Sequence, residues 1–146
     1  MSDAEAKELI AMLKEIISKE IIFPNSGDKK DVSIVSQDQK YLFIMSINRS
    51  STINEKRCSY IVRNKANGKN LLRLDVNGPA HRNPNGERIE CPHLHIYKEE
   101  FSDGNLPFAI EFDVNDDSLI ESCLRFLSEF NVINVPLIIE QNQLFN

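Results

Sequence analysis

"NLLRLDVNGPAHRNPNGERIECPHLHIY", residues 70–97, contains two short alternating runs with a turn-rich segment between them. Successive side chains on a strand point to opposite faces. In "NLLRLDV" this places Leu72, Leu74 and Val76 on one face and Leu71, Arg73 and Asp75 on the other. In "PHLHIY" it places Leu94 and Ile96 on one face and His93, His95 and Tyr97 on the other. Gly78-Pro79 ends the first run, and Asn83-Pro84-Asn85-Gly86 supplies a preset proline φ followed by residues that tolerate left-handed backbone. The two runs therefore read as paired strands. With the aliphatic faces turned to the core, the other face collects Arg73, Asp75, His93, His95 and Tyr97, and the loop brings His81, Arg82 and Asn83 to one end of it. All three histidines of the chain lie in this stretch.

The flanking sequence repeats the pattern. "YLFIMSI", "CSYIVR" and "FAIEF" have the β-branched and aromatic content of strands, and Asn67-Gly68 is a tight-turn signal before the first quoted strand. Ser2 and Glu5 have capping-box spacing. Leu9, Leu13, Ile16 and Ile17, with Ile10 and Met12, predict an amphipathic helix over residues 3–20, ending before Pro24. "NDDSLIESCLRFLSEF" predicts a second helix, capped by Asn115 or Asp116, with Leu119, Ile120, Cys123, Leu124 and Leu127 on its buried side. Asp113, Asp116 and Asp117 are accounted for by that helix start. Pro136 makes "NVINVPLIIEQNQLF" an edge strand or an extended arm. The sum is an α+β fold: an antiparallel sheet of about five or six strands with an N-terminal and a C-terminal helix packed on one face. Residues 1–146 read as a single domain with no repeat or long linker.

A net charge of −5 argues against non-specific coating of DNA, which depends on neutralising phosphates. No apolar run reaches the length of a membrane span, and the acidic start "MSDAEAKE" is not a signal peptide. Cys58, Cys91 and Cys123 are odd in number and lack a CxxC pair, which fits reduced thiols and a cytoplasmic protein.

Three chemistries suit the polar face. His93 and His95, at i and i+2 on a strand, can converge on one divalent ion such as zinc or manganese, with His81 or Asp75 as a third ligand and a position left for water. Without a metal, two imidazoles can act as base and acid near neutral pH while Arg73 or Arg82 stabilises a phosphate oxygen. RNA suits that chemistry because its own 2′-hydroxyl can attack. As structure alone, the same groups form a solvated network that pins a long hairpin. Arg82, Asn83 and Tyr97 are candidate substrate contacts, though a strand tyrosine also serves as a packing residue. Cys91 beside the histidines suggests a Cys/His nucleophile, for which no orienting partner is identifiable.

The run from Leu71 to Phe101 resembles a small uncharacterised family found in bacterial and phage genomes. The residues that carry the resemblance are Arg73 and Asp75, then Gly78, His81, Asn83, Pro84 and Gly86, then Pro92, His93, His95 and Tyr97. The resemblance implies a mobile-element or host–phage setting, where small toxins, nucleases and inhibitors of defence systems are common.

Two functions are expected from these residues. One is a small hydrolase or nuclease acting on a phosphodiester, with His81, His93, His95, Arg73 and Asp75 as the reacting set. The alternative is a non-enzymatic module that binds a host or phage partner, a protein or RNA. The acidic charge favours a protein partner over nucleic acid in that case.

Overall fold

The computed structural model describes residues 1–101 and 105–140. Its elements, in chain order, are α1 (Asp3–Ala11), β1 (Lys14–Ile16), β2 (Glu20–Phe23), β3 (Lys29–Ser36), β4 (Leu42–Asn48), β5 (Cys58–Asn64), β6 (Asn70–Val76), β7 (His81–Arg82), β8 (Arg88–Ile89), β9 (His93–Ile96), a 3₁₀ turn (Glu99–Phe101), β10 (Ala109–Glu111), α2 (Leu119–Glu129), β11 (Val132–Asn134) and β12 (Leu137–Glu140). Eight strands form one sheet in the order β10-β9-β6-β5-β4-β3-β1-β11, antiparallel except for the β1–β11 pair. β2 and β12 pair in parallel beside it, and β7 and β8 form a separate small hairpin. The fold is α+β, with more strands than the sequence suggests.

Register explains the two faces of the sheet. Tyr60 lies opposite Leu74, and Leu74 opposite Leu94. That row belongs to the core with Val32, Ile34, Phe43, Met45 and Ile47. α2 packs there: Tyr60 donates to the Leu119 carbonyl at 2.8 Å, its ring stacks on Phe126, and Phe43 meets Phe130 edge-on. Ala6 and Leu9 of α1 join the same cluster. The opposite rows run through Ser46, Ile61 and Arg73 to His95, and through Asn48, Ser59 and Asp75 to His93. Most of this second face stays partly exposed, as a one-sided antiparallel sheet allows.

The first helix is shorter than expected. Ser2 caps it as predicted, accepting the Glu5 amide at 3.1 Å, but it stops at Ala11. The expected stripe splits: Leu9 and Ile16 are buried, whereas Leu13 and Ile17 are 48% and 59% exposed. The cause is Lys14, fully buried, whose Nζ donates to the carbonyls of Ile10, Met12 and Phe130 at 2.8 Å each. Ending the helix here frees two of these carbonyls for the ammonium, and the β-branched residues that follow pair as β1 and β2.

α2 begins later than expected, with Ser118 as its cap. Asn115 instead holds the Glu121 carboxylate at 2.6 Å and the Asp117 amide at 3.1 Å. Leu124 is exposed, and the buried side is Ser122, Cys123, Phe126 and Leu127. The tail forms β11 and β12, while its residues 141–145 lie outside the described region. No helix among the described residues is long and apolar enough to cross a membrane.

Candidate functional site

β6 and β9 are neighbours, and their register sets Arg73 opposite His95 and Asp75 opposite His93. α2 packs on the other face, against Tyr60 and Phe43. Residues 77–92, with Leu106 and Pro107, lie over His93 and His95. Asn77, with a φ of +57°, turns the chain out of β6, and the β7–β8 hairpin folds back with Gly86 at a φ of +91°. The hairpin is pinned by Asn83, whose buried carboxamide donates to the Ala109 carbonyl and accepts the Ala109 amide, both at 2.8 Å. This cover leaves His93 1% and His95 0% exposed.

The three imidazoles meet beneath it. Ring centroids are 4.6 Å apart for His81 and His95, 4.9 Å for His93 and His95, and 5.8 Å for His81 and His93. Each ring has one nitrogen facing a backbone carbonyl: His81 Nε2 at Pro107 (2.6 Å), His93 Nδ1 at Glu90 (3.3 Å) and His95 Nδ1 at Leu106. A carbonyl only accepts, so the His95 proton sits on Nδ1 and the Nε2 of the neutral ring carries a lone pair. Burial pushes His95 below its ordinary pKa and favours that neutral ring, against the pull of Asp75.

Asp75 is the hub. Its Oδ1 accepts from Ser59 Oγ at 2.9 Å and Arg73 Nε at 3.1 Å. Its Oδ2 lies 3.2 Å from His93 Nε2, 3.1 Å from His95 Nε2 and 3.2 Å from Arg73 Nη2. Burial alone would raise the Asp75 carboxyl, but the His93 contact and the Arg73 charge outweigh it and hold the group well below the usual carboxylate range. Arg73 Nη2 also stands 2.9 Å from His95 Nε2 and fills that lone pair. Asp75, His93 and His95 offer three ligand atoms within 4.8 Å of one another, the one such group of three or more among the described residues.

A cavity of about 210 Å³ opens beside this group, lined by Arg57, Ser59, Arg73, Asp75, His81 and His93, with Gly78, Pro79 and Ala80 along one wall. A larger cavity of about 800 Å³ lies on β3 and β4, around Pro24, Lys29, Lys30 and Asn48. No imidazole lines it, whereas His81 and His93 line the smaller one.

The structure thus brings together Arg73, Asp75, His81, His93 and His95. It does not bring Arg82 or Tyr97 to them. Arg82 donates to the Gly86 carbonyl of its own hairpin at 2.7 Å. Tyr97 departs from the expected alternation because the ladder bulges at Leu71 and β9 ends at Ile96; its ring joins the core and its hydroxyl donates to the Met1 carbonyl. Asn83 holds the cover in place rather than lining the cavity. The Cys91 thiol donates to the Asp75 backbone carbonyl at 3.0 Å, and burial raises its pKa, which keeps it protonated. Arg57 and Ser59 are site residues that pattern reading missed. The signal was available: the Asn67-Gly68 turn makes β5 the other neighbour of β6, which puts Ser59 beside Asp75.

A model for a family of unknown function, DUF6978, matches residues 1–132, so the chain belongs to that family. No curated protein and no solved structure matches the chain.

Proposed function

We propose that this member of the family of unknown function DUF6978 hydrolyses a phosphodiester, with RNA as the substrate class, in the cavity lined by Arg57, Arg73, Asp75, His81 and His93. The observation that supports it most directly is the placement of two arginines and two imidazoles around one cavity of about 210 Å³. That volume is below the roughly 300–1,000 Å³ of pockets that enclose a whole small molecule. It suits one phosphoryl group with its ester arms outside. Arg63 lies along the same open sheet face, its guanidinium 3.5 Å from Ser46 Oγ, and extends the cationic character away from the cavity. An extended phosphodiester strand fits that layout better than a compact monoester.

Arg57 and Arg73 hold the non-bridging oxygens and stabilise the charge that builds on them. His81 spends its Nε2 proton on Pro107, leaving Nδ1 to take the proton of the attacking hydroxyl; as the new O–P bond forms, the bond to the departing ester oxygen breaks, and solvent water protonates that oxygen. Asp75 and His93 form the polar floor on which the phosphorus is positioned.

The test is cleavage of a labelled RNA oligonucleotide and of bis(4-nitrophenyl) phosphate, with and without added divalent metal. Turnover is expected, lowered in kcat by about 10²–10⁴-fold in His81→Ala and raised in KM by Arg57→Ala. A folded protein that cleaves neither substrate, or cleavage indifferent to His81→Ala, overturns the proposal.

A further inference from the structure

We infer that Asp75, His93 and His95 form a binding site for one divalent ion, zinc foremost, and that Arg73 Nη2 holds the place of that ion when it is absent. The inference deepens the site reading above but does not depend on which reaction the site performs.

The first ground is a surplus of acceptors. With Nδ1–H fixed on Leu106, His95 directs a lone pair at Asp75 Oδ2, acceptor against acceptor at 3.1 Å. His93 faces acceptors on both sides, the Glu90 carbonyl and Asp75 Oδ2, and a neutral ring donates to only one of them. Arg73 Nη2 is the cationic donor that His95 Nε2 and Asp75 Oδ2 share, at 2.9 and 3.2 Å, and a metal cation in its place would meet the same converging acceptors.

The second ground is the division of labour on Asp75. Oδ1 is occupied by Ser59 and Arg73 Nε, whereas Oδ2 faces both imidazoles. A monodentate carboxylate ligand has this arrangement, with its outer oxygen held in place by neighbours. The carbonyls of Glu90 and Leu106 play the matching part for the rings, fixing Nδ1–H so that Nε2 is the ligating atom.

Spacing is the third ground. The 3.1 and 3.2 Å separations from Oδ2 to the two nitrogens approach the edge of about 3.3 Å that zinc bond lengths of about 2.0 Å give a tetrahedron. Two imidazoles and one carboxylate, with no thiolate, select a borderline ion and leave a coordination position for water or a substrate oxygen.

Arg73 is suited to give way. Its side chain is 29% exposed, and withdrawing Nη2 leaves its Nε–Oδ1 contact intact. An entering ion displaces one amino group, which then turns toward the cavity that Arg73 already lines.

The experiment is calorimetric titration of chelator-stripped full chain with zinc and, separately, manganese, with folding checked by circular dichroism. The variants are His93→Gln, His93→Ala/His95→Ala and Arg73→Met. One zinc per chain is expected for the parent protein. Binding should be lost in whichever histidine variant stays folded. It should be tighter by about tenfold or more in Arg73→Met, which removes a like charge close to the ion. No zinc bound by either the parent or Arg73→Met overturns the site, as does zinc that survives in a folded His93→Gln. Parent binding that Arg73→Met leaves unchanged or weakens overturns the place-holding role of Arg73. RNA cleavage that persists in chelator after a failed titration separates loss of the ion site from loss of the phosphodiesterase proposal.

Discussion

Lys14 and Asp75 are both ionisable groups drawn out of water, and the chain surrounds them differently. Lys14 is enclosed: three carbonyls accept from its Nζ, and the rings of Phe130 and Phe43 lie 3.7 and 5.4 Å from it. Every donor of an ammonium has an acceptor, and nothing further can reach it. Asp75 sits at the rim of a cavity, among rings that supply more acceptors than donors, and its cationic partner is a side chain with one edge in solvent. A saturated buried charge joins elements together. One beside an opening, held by a partly exposed arginine, is where the proposed ion would enter.

The largest effect expected from this contrast is at Lys14. Lys14→Met leaves three buried carbonyls without their donor and should cost about 3 kcal/mol or more, seen as a fall in Tm of roughly 10 °C. Burial also pulls the Lys14 ammonium down to about 7 in the folded protein, whereas the unfolded chain keeps it near about 10.4. Between those values the unfolded state binds the extra proton, so stability rises with pH across that window. Urea midpoints measured at about pH 7 and about pH 9.5 should show the rise in the parent protein and a flatter trend in Lys14→Met. A Lys14→Met protein as stable as its parent, with the same pH trend, breaks the comparison.

A smaller loss is expected where the cover is pinned. Asn83→Ala removes two hydrogen bonds and strands the Ala109 amide and carbonyl, at about 2–3 kcal/mol. Hydrogen exchange should show the β7–β8 hairpin opening before the main sheet does. Exchange unchanged at Ala109 would mean that the cover is held by something else.

The smallest effect should be at Arg73. Its guanidinium is partly exposed and Asp75 keeps Ser59 as a donor, but His95 Nε2 is stranded, so Arg73→Met should cost about 1–2 kcal/mol in denaturant titration. A loss comparable to that of Lys14→Met would show that Arg73 is a closed structural cation too, and the two regions would no longer differ.

The sheet face with the site was legible because strand alternation is local: Arg73, Asp75, His93 and His95 are placed by parity once β6 and β9 are neighbours. Parity failed at Leu71 and Tyr97, where a bulge supplies an extra residue with no sequence mark of its own. The first helix was overextended for a different reason. Leu13, Ile16 and Ile17 fit helical spacing, and nothing local shows that Lys14 will seek a carbonyl of Phe130, 116 residues away. The carbonyls of Glu90, Leu106 and Pro107 that orient the histidines were invisible as well, since every residue has a carbonyl and only the folded chain decides which ones face the rings.

The parallel pairs β1–β11 and β2–β12 set the order in which the molecule can be finished. β1 and β2 leave the ribosome more than a hundred residues before their partners, residues 132–134 and 137–140. The central meander, β3 through β6, can zip up from neighbours close in sequence. Until residues 132–134 emerge, β1 is the edge of the sheet, the kind of edge that recruits foreign strands. β1 and β2 wait for the segment after α2 to cover them, which makes that segment the latch of the nascent chain.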